Sequence, residues 1–101
     1  MIDVVVREAV PKDVEGILQL REESTLFKSL LCHRMDTDIM LVAVREENII
    51  GFLWAVEREN AAYILRLSIR GEHIGRGVGA MLLSRLRECA RRRGLKLMRF
   101  A

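Results

Sequence analysis

Apolar residues recur along this chain in two rhythms. Val4, Val5 and Val6 open a short β-branched run that favours a strand, and Pro11, Lys12 and Asp13 have the composition of a first helical turn. Val14, Ile17 and Leu18 then recur at helical spacing. Leu26, Phe27, Leu30 and Leu31 repeat that spacing beyond Ser24, so two short helices with a break between them are predicted. From Ile39 to Arg45 the run is continuous, as in a buried strand. Glu46, Glu47 and Asn48 separate it from a second apolar run, Ile49-Ile50-Gly51-Phe52-Leu53-Trp54-Ala55-Val56, which is the pattern of a hairpin. Asn60, Ala61 and Ala62 are predicted to turn the chain once more. Tyr63, Leu65, Leu67 and Ile69 then alternate with Ile64, Arg66 and Ser68, the period of a strand.

Residues 71–77 read as loop. Val78, Met81, Leu82, Leu86, Cys89 and Ala90 form one helical stripe ended by Gly94. Residues 95–101 are predicted to return as a strand parallel to the one before that helix. The order is strand, two helices, antiparallel three-stranded meander, helix, strand. This is an α+β class with a mixed, mostly antiparallel sheet flanked by helices. With 101 residues, half of them apolar, the chain supports a single domain over 1–101 with a modest core.

No apolar run reaches the roughly 18 residues of a spanning helix, and Met1-Ile2-Asp3-Val4 lacks the basic and apolar segments of a leader. The expectation is a cytoplasmic protein. Cys32 and Cys89 form no CxxC pair, so free thiols in a reducing compartment and no metal site are expected.

Net charge is only +3, but it is unevenly spread. Residues 51–101 carry 11 Lys/Arg against 4 Asp/Glu, whereas residues 1–50 carry 6 against 10. An anion should therefore bind the second half. Nucleic acid is disfavoured, because the single Trp54 and Tyr63 offer little for base stacking. Arg85, Arg87, Arg91, Arg92 and Arg93 read as a solvated helix face whose cations suit the helix C-terminus. A small phosphorylated cofactor fits the second half better.

Gly75-Arg76-Gly77-Val78-Gly79-Ala80 lies between a predicted strand and helix, where backbone N–H groups converge free of side chains. Such a turn cradles phosphate, aided by the helix dipole and by Arg76. The same residues satisfy G-x-G-x-x-G/A, but a dinucleotide fold needs the first strand of a βαβ unit and an acidic residue about 20 positions on. Here a meander precedes the loop, and Phe100 and Ala101 stand where the acid belongs.

This order of elements resembles the GNAT superfamily of N-acetyltransferases. The resemblance rests on the Q/R-x-x-G-x-G/A signature, here Ile74-Gly75-Arg76-Gly77-Val78-Gly79, on Ile69 five residues before it, and on Ala80-Met81-Leu82-Leu83 after it. Ile74 departs from the usual Gln or Arg. The resemblance implies a three-layer fold, acetyl-CoA as co-substrate, and an amine acceptor on a small molecule or protein. Its pyrophosphate would lie on the 75–80 amides. The backbone of Leu67, Ser68 and Ile69 would line the pantetheine arm and supply the oxyanion donor. For the base, the alignment puts Tyr63 where some histone-modifying members carry glutamate; Glu57, Glu72 and His73 are the other candidates. Residues 24–38 would line the acceptor side. The family also adds a helix and two strands beyond the elements read here. A homodimer through the apolar edge of the last strand is therefore expected. A non-catalytic CoA-binding or protein-interaction module is the alternative function.

Overall fold

The computed structural model describes residues 3–20 and 25–100; the expectations at Met1, Ile2, Ser24 and Ala101 lie outside them. Strands β1 (Val5–Glu8), β2 (Ile39–Arg45), β3 (Asn48–Arg58), β4 (Ala61–Ile69) and β5 (Leu97–Phe100) form one sheet whose neighbours follow chain order. The first three junctions are antiparallel and β4–β5 is parallel. Because β4 runs antiparallel to β3, the glycine loop cannot open a doubly wound dinucleotide fold.

Helices α1 (Val14–Leu18) and α2 (Thr25–Arg34) cover one face of the sheet and α3 (Val78–Arg92) covers the other. The central strands β2, β3 and β4 therefore bury side chains on both faces, which is why β2 reads as a continuous apolar run. Against α3 pack Leu41, Leu53, Ala55 and Ile64, meeting Val78, Leu82, Leu86 and Ala90. On the other face Val14, Ile17, Phe27 and Leu31 meet Met40, Val42, Phe52 and Trp54. The predicted stripe on α2 is only half used, since Leu26 and Leu30 are exposed. Gly16 lets α1 lie directly on β3, where an added Cβ would come within 2.8 Å of the Ile49 side chain.

Both hairpin turns are tighter than the sequence suggested. Glu46 and Glu47, then Glu59 and Asn60, all take positive φ. Two such residues in succession make a turn whose twist matches that of the flanking strands. Arg45 therefore pairs with Asn48, and Arg58 with Ala61, so Asn48, Ala61 and Ala62 belong to strands.

A larger departure lies within β4. Trp54 pairs with Arg66 but Ala55 pairs with Ile64, leaving Leu65 as an extra, bulged residue. The expected single face of Tyr63, Leu65, Leu67 and Ile69 is therefore broken. Ala62, Ile64, Leu67 and Ile69 pack on the α3 side instead. Tyr63, Arg66 and Ser68 share the face of Phe52 and Trp54, and Leu65 is 48% exposed.

Candidate active site

The chain leaves β4 through a short 3-10 turn, Gly71–His73, and enters α3 at Val78. Gly75 and Gly77 have φ of 82° and 83°, a left-handed conformation that disfavours any Cβ. Those two residues turn the loop so that its amides face outward. Gly77 occupies the N-cap position of α3, and no side chain caps the helix. Among the described residues, the N–H groups of Gly75, Gly77, Val78, Gly79 and Ala80 donate to no carbonyl, whereas Arg76 N–H bonds His73 and Met81 N–H bonds Gly77. Open space lies before Gly75, Gly77 and Gly79, since an added Cβ would meet nothing within 4 Å. The result is a concave array of donors at the positive end of a 15-residue helix. It has the shape and polarity for a pyrophosphate.

Beside this cradle β4 ends. Its pairing with β5 covers Ala61 to Ile64 among the described residues, and Leu67, Ser68 and Ile69 follow between the bulge and the glycine loop. Ser68 is 7% exposed, and its Oγ is enclosed without a hydrogen-bond partner among the described residues.

Of the four residues singled out for proton transfer, only Glu72 and His73 are brought together. Tyr63 is half-buried, two positions before the bulge, and pairs with Val56 and Arg99. Glu57 pairs with Ala62 near the far end of β4 and lies 3.9 Å from Arg93, which follows the C-terminus of α3. Glu72 stands at the phosphate end, 4.0 Å from Arg70. His73, beside it, is buried.

Two carboxylates that the sequence did not reveal organise the α1/α2 side. Asp38 is buried and accepts bonds from Arg34 Nε (3.1 Å), Arg34 Nη2 (2.7 Å) and Trp54 Nε1 (2.8 Å). Phe27 meets Trp54 edge-on at 6.0 Å, and Arg66 covers Phe27 at 4.5 Å. Asp13 accepts both Arg7 guanidinium nitrogens and the Val10 N–H. Arg7 holds the Asp13 carboxyl below its ordinary pKa, chiefly through these hydrogen bonds. Pairs six and sixteen residues apart carry no periodic signal; only the folded contacts disclose them.

The sequence matches the profile of the acetyltransferase (GNAT) family over residues 7–101. The chain belongs to that family. Solved GNAT structures share its fold at low identity. A GNAT family acetyltransferase of Staphylococcus aureus superposes with a TM-score of 0.81 at 21% identity, covering 100% of this chain and 87% of that one. The PaiA N-acetyltransferase of Thermoplasma acidophilum, crystallised with coenzyme A, gives 0.74 at 16%, with coverage of 92% and 75%. The ribosomal-protein-S18-alanine N-acetyltransferase of Escherichia coli gives 0.80 at 12%, with 95% and 66%. No curated protein matches the sequence significantly.

The family's chemistry is acetyl transfer. No helix among the described residues is long and apolar enough to cross a membrane. No cluster of three His, Cys, Asp or Glu suited to a metal occurs among them either. The basic helix face is largely paired: Arg85 and Arg92 contact Glu88, and Arg93 contacts Glu57.

Proposed function

We propose that this chain is an N-acetyltransferase that moves an acetyl group from acetyl-CoA to an amine of a small molecule or protein. The observation that carries the reading is the set of free amides at Gly75, Gly77, Val78, Gly79 and Ala80, standing at the N-terminus of α3 just beyond β4. When bound, acetyl-CoA supplies a thioester carbonyl open to attack by a neutral amine, with a thiol as leaving group. The cradle amides and Arg76 hold the pyrophosphate, and the backbone of Leu67, Ser68 and Ile69 lines the pantetheine arm. An N–H of that strand stands where the oxyanion develops. Of the four proton-transfer candidates, Tyr63 lies on β4 beside the bulge, whereas Glu57 faces Arg93 and Glu72 and His73 sit at the phosphate end.

The test is acetyl-CoA-dependent thiol release across a panel of amines, run beside calorimetry with CoA. Turnover of any amine supports the reading. CoA binding without turnover selects a non-catalytic CoA-binding or protein-contact module, and no CoA binding removes the reading altogether. The proposal includes a cytoplasmic homodimer joined along β5, which stands last in the strand order of the sheet. A monomer in sedimentation at micromolar concentration would exclude that assembly.

A further inference from the structure

Between the glycine loop and the end of β2, a cavity of about 370 Å³ is lined by Arg45, Glu72, His73 and Arg76. It adjoins the cradle directly, because Arg76 stands between the two left-handed glycines. Its two guanidinium groups are loosely held. The carboxylate nearest Arg45 among the described residues is that of Glu46, 4.0 Å away and 80% exposed. Arg76 makes no ion pair among the described residues, and Glu72 leans on Arg70 rather than on either of them.

Two cations facing one hollow repel each other unless an anion joins them. Guanidinium groups match phosphate oxygens with paired N–H donors. The buried imidazole of His73 forms a rigid wall of this hollow. A ligand reaching both the cradle and the cavity must carry a phosphate beyond its pyrophosphate. The basic residues further along α3 are poorly placed for that group, because Arg91 lies about 20 Å down the helix axis from Val78.

We propose that Arg45 binds a phosphate monoester in this cavity, namely the 3′-phosphate of the acyl donor, with Arg76 shared between that group and the pyrophosphate, and that Glu72 weakens the hold. The inference rests on the proposed CoA-binding function. The test is calorimetry of the full chain with CoA and with 3′-dephospho-CoA. The wild type should prefer CoA by roughly tenfold, the size of one charge-assisted contact. Arg45→Ala should bring that ratio close to one while leaving affinity for 3′-dephospho-CoA unchanged. Glu72→Gln, a surface change that leaves the cations in place, should raise it.

Inorganic phosphate should compete with CoA more strongly than with 3′-dephospho-CoA. Equal competition would mean that the cavity takes free phosphate from another source, and it would overturn the assignment. Equal affinity of the wild type for both nucleotides, or a preference that survives Arg45→Ala, would overturn it while leaving the CoA-binding reading intact. Binding of neither nucleotide would remove both.

Discussion

Asp38 ends the turn after α2, where three N–H donors converge on one buried carboxylate. Asp38→Ala would strand the indole N–H of Trp54 and release Arg34, at a cost of about 3 kcal/mol. Urea unfolding followed by the fluorescence of Trp54, the chain's single tryptophan, should report that loss directly. Asp13 makes a pH-dependent contribution. Its carboxyl pKa is lower in the folded chain, so the stabilisation is fully present above the unfolded pKa of about 4 and disappears as pH falls through the folded value. Melting temperatures between pH 7 and pH 3 should therefore fall on the acid side, and Asp13→Asn should flatten that limb. The role of neither carboxylate was legible in the sequence: Arg34 and Val10 stand at local spacing from them, but Arg7 and Trp54 meet them only through the fold. The glycine loop was legible, because Gly75 and Gly77 announce a backbone conformation that needs no distant partner.

At the scale of elements, local pattern determined the hairpins and helices well, and the bulge was invisible for a specific reason. Leu65 is itself apolar, so an unbroken alternation of apolar residues runs through a position where the strand carries an extra residue. Deleting Leu65 would remove that extra residue and make Ile64 and Arg66 consecutive, so that β4 would alternate regularly with Ala62, Ile64, Leu67 and Ile69 still on the α3 side. Thermal unfolding of the deletion variant should therefore show a loss of only about 1 kcal/mol or less. Removing Leu26 or Leu30 to Ala should also matter little, since both lie on the exposed side of α2. The α2 pattern overstated the core because helical spacing marks an apolar stripe without saying what covers it.

At the scale of the molecule, the order of elements was readable because each strand pairs with its neighbour in sequence and only the β4–β5 junction is parallel. The charge asymmetry was readable too, and it predicts a measurable behaviour. A half-chain with 11 basic and 4 acidic residues should attract CoA through a field that salt screens. CoA affinity measured by titration calorimetry should fall by roughly fivefold between 50 and 500 mM salt, without a change in stoichiometry.

The glycines described above divide by what would reject a replacement. Gly16 answers to the fold, because Ile49 occupies the space a side chain would need. Gly79 has neither a neighbour within 4 Å nor a positive φ, so the folded chain itself does not demand glycine there. A library of variants sorted once for soluble expression and once for capture on immobilised CoA should therefore separate the two positions. Bulky residues at 16 should vanish in the first sort, whereas bulky residues at 79 should survive it and vanish only in the second. The difference between the two surviving populations would trace the ligand's footprint on the chain without a structure of the complex.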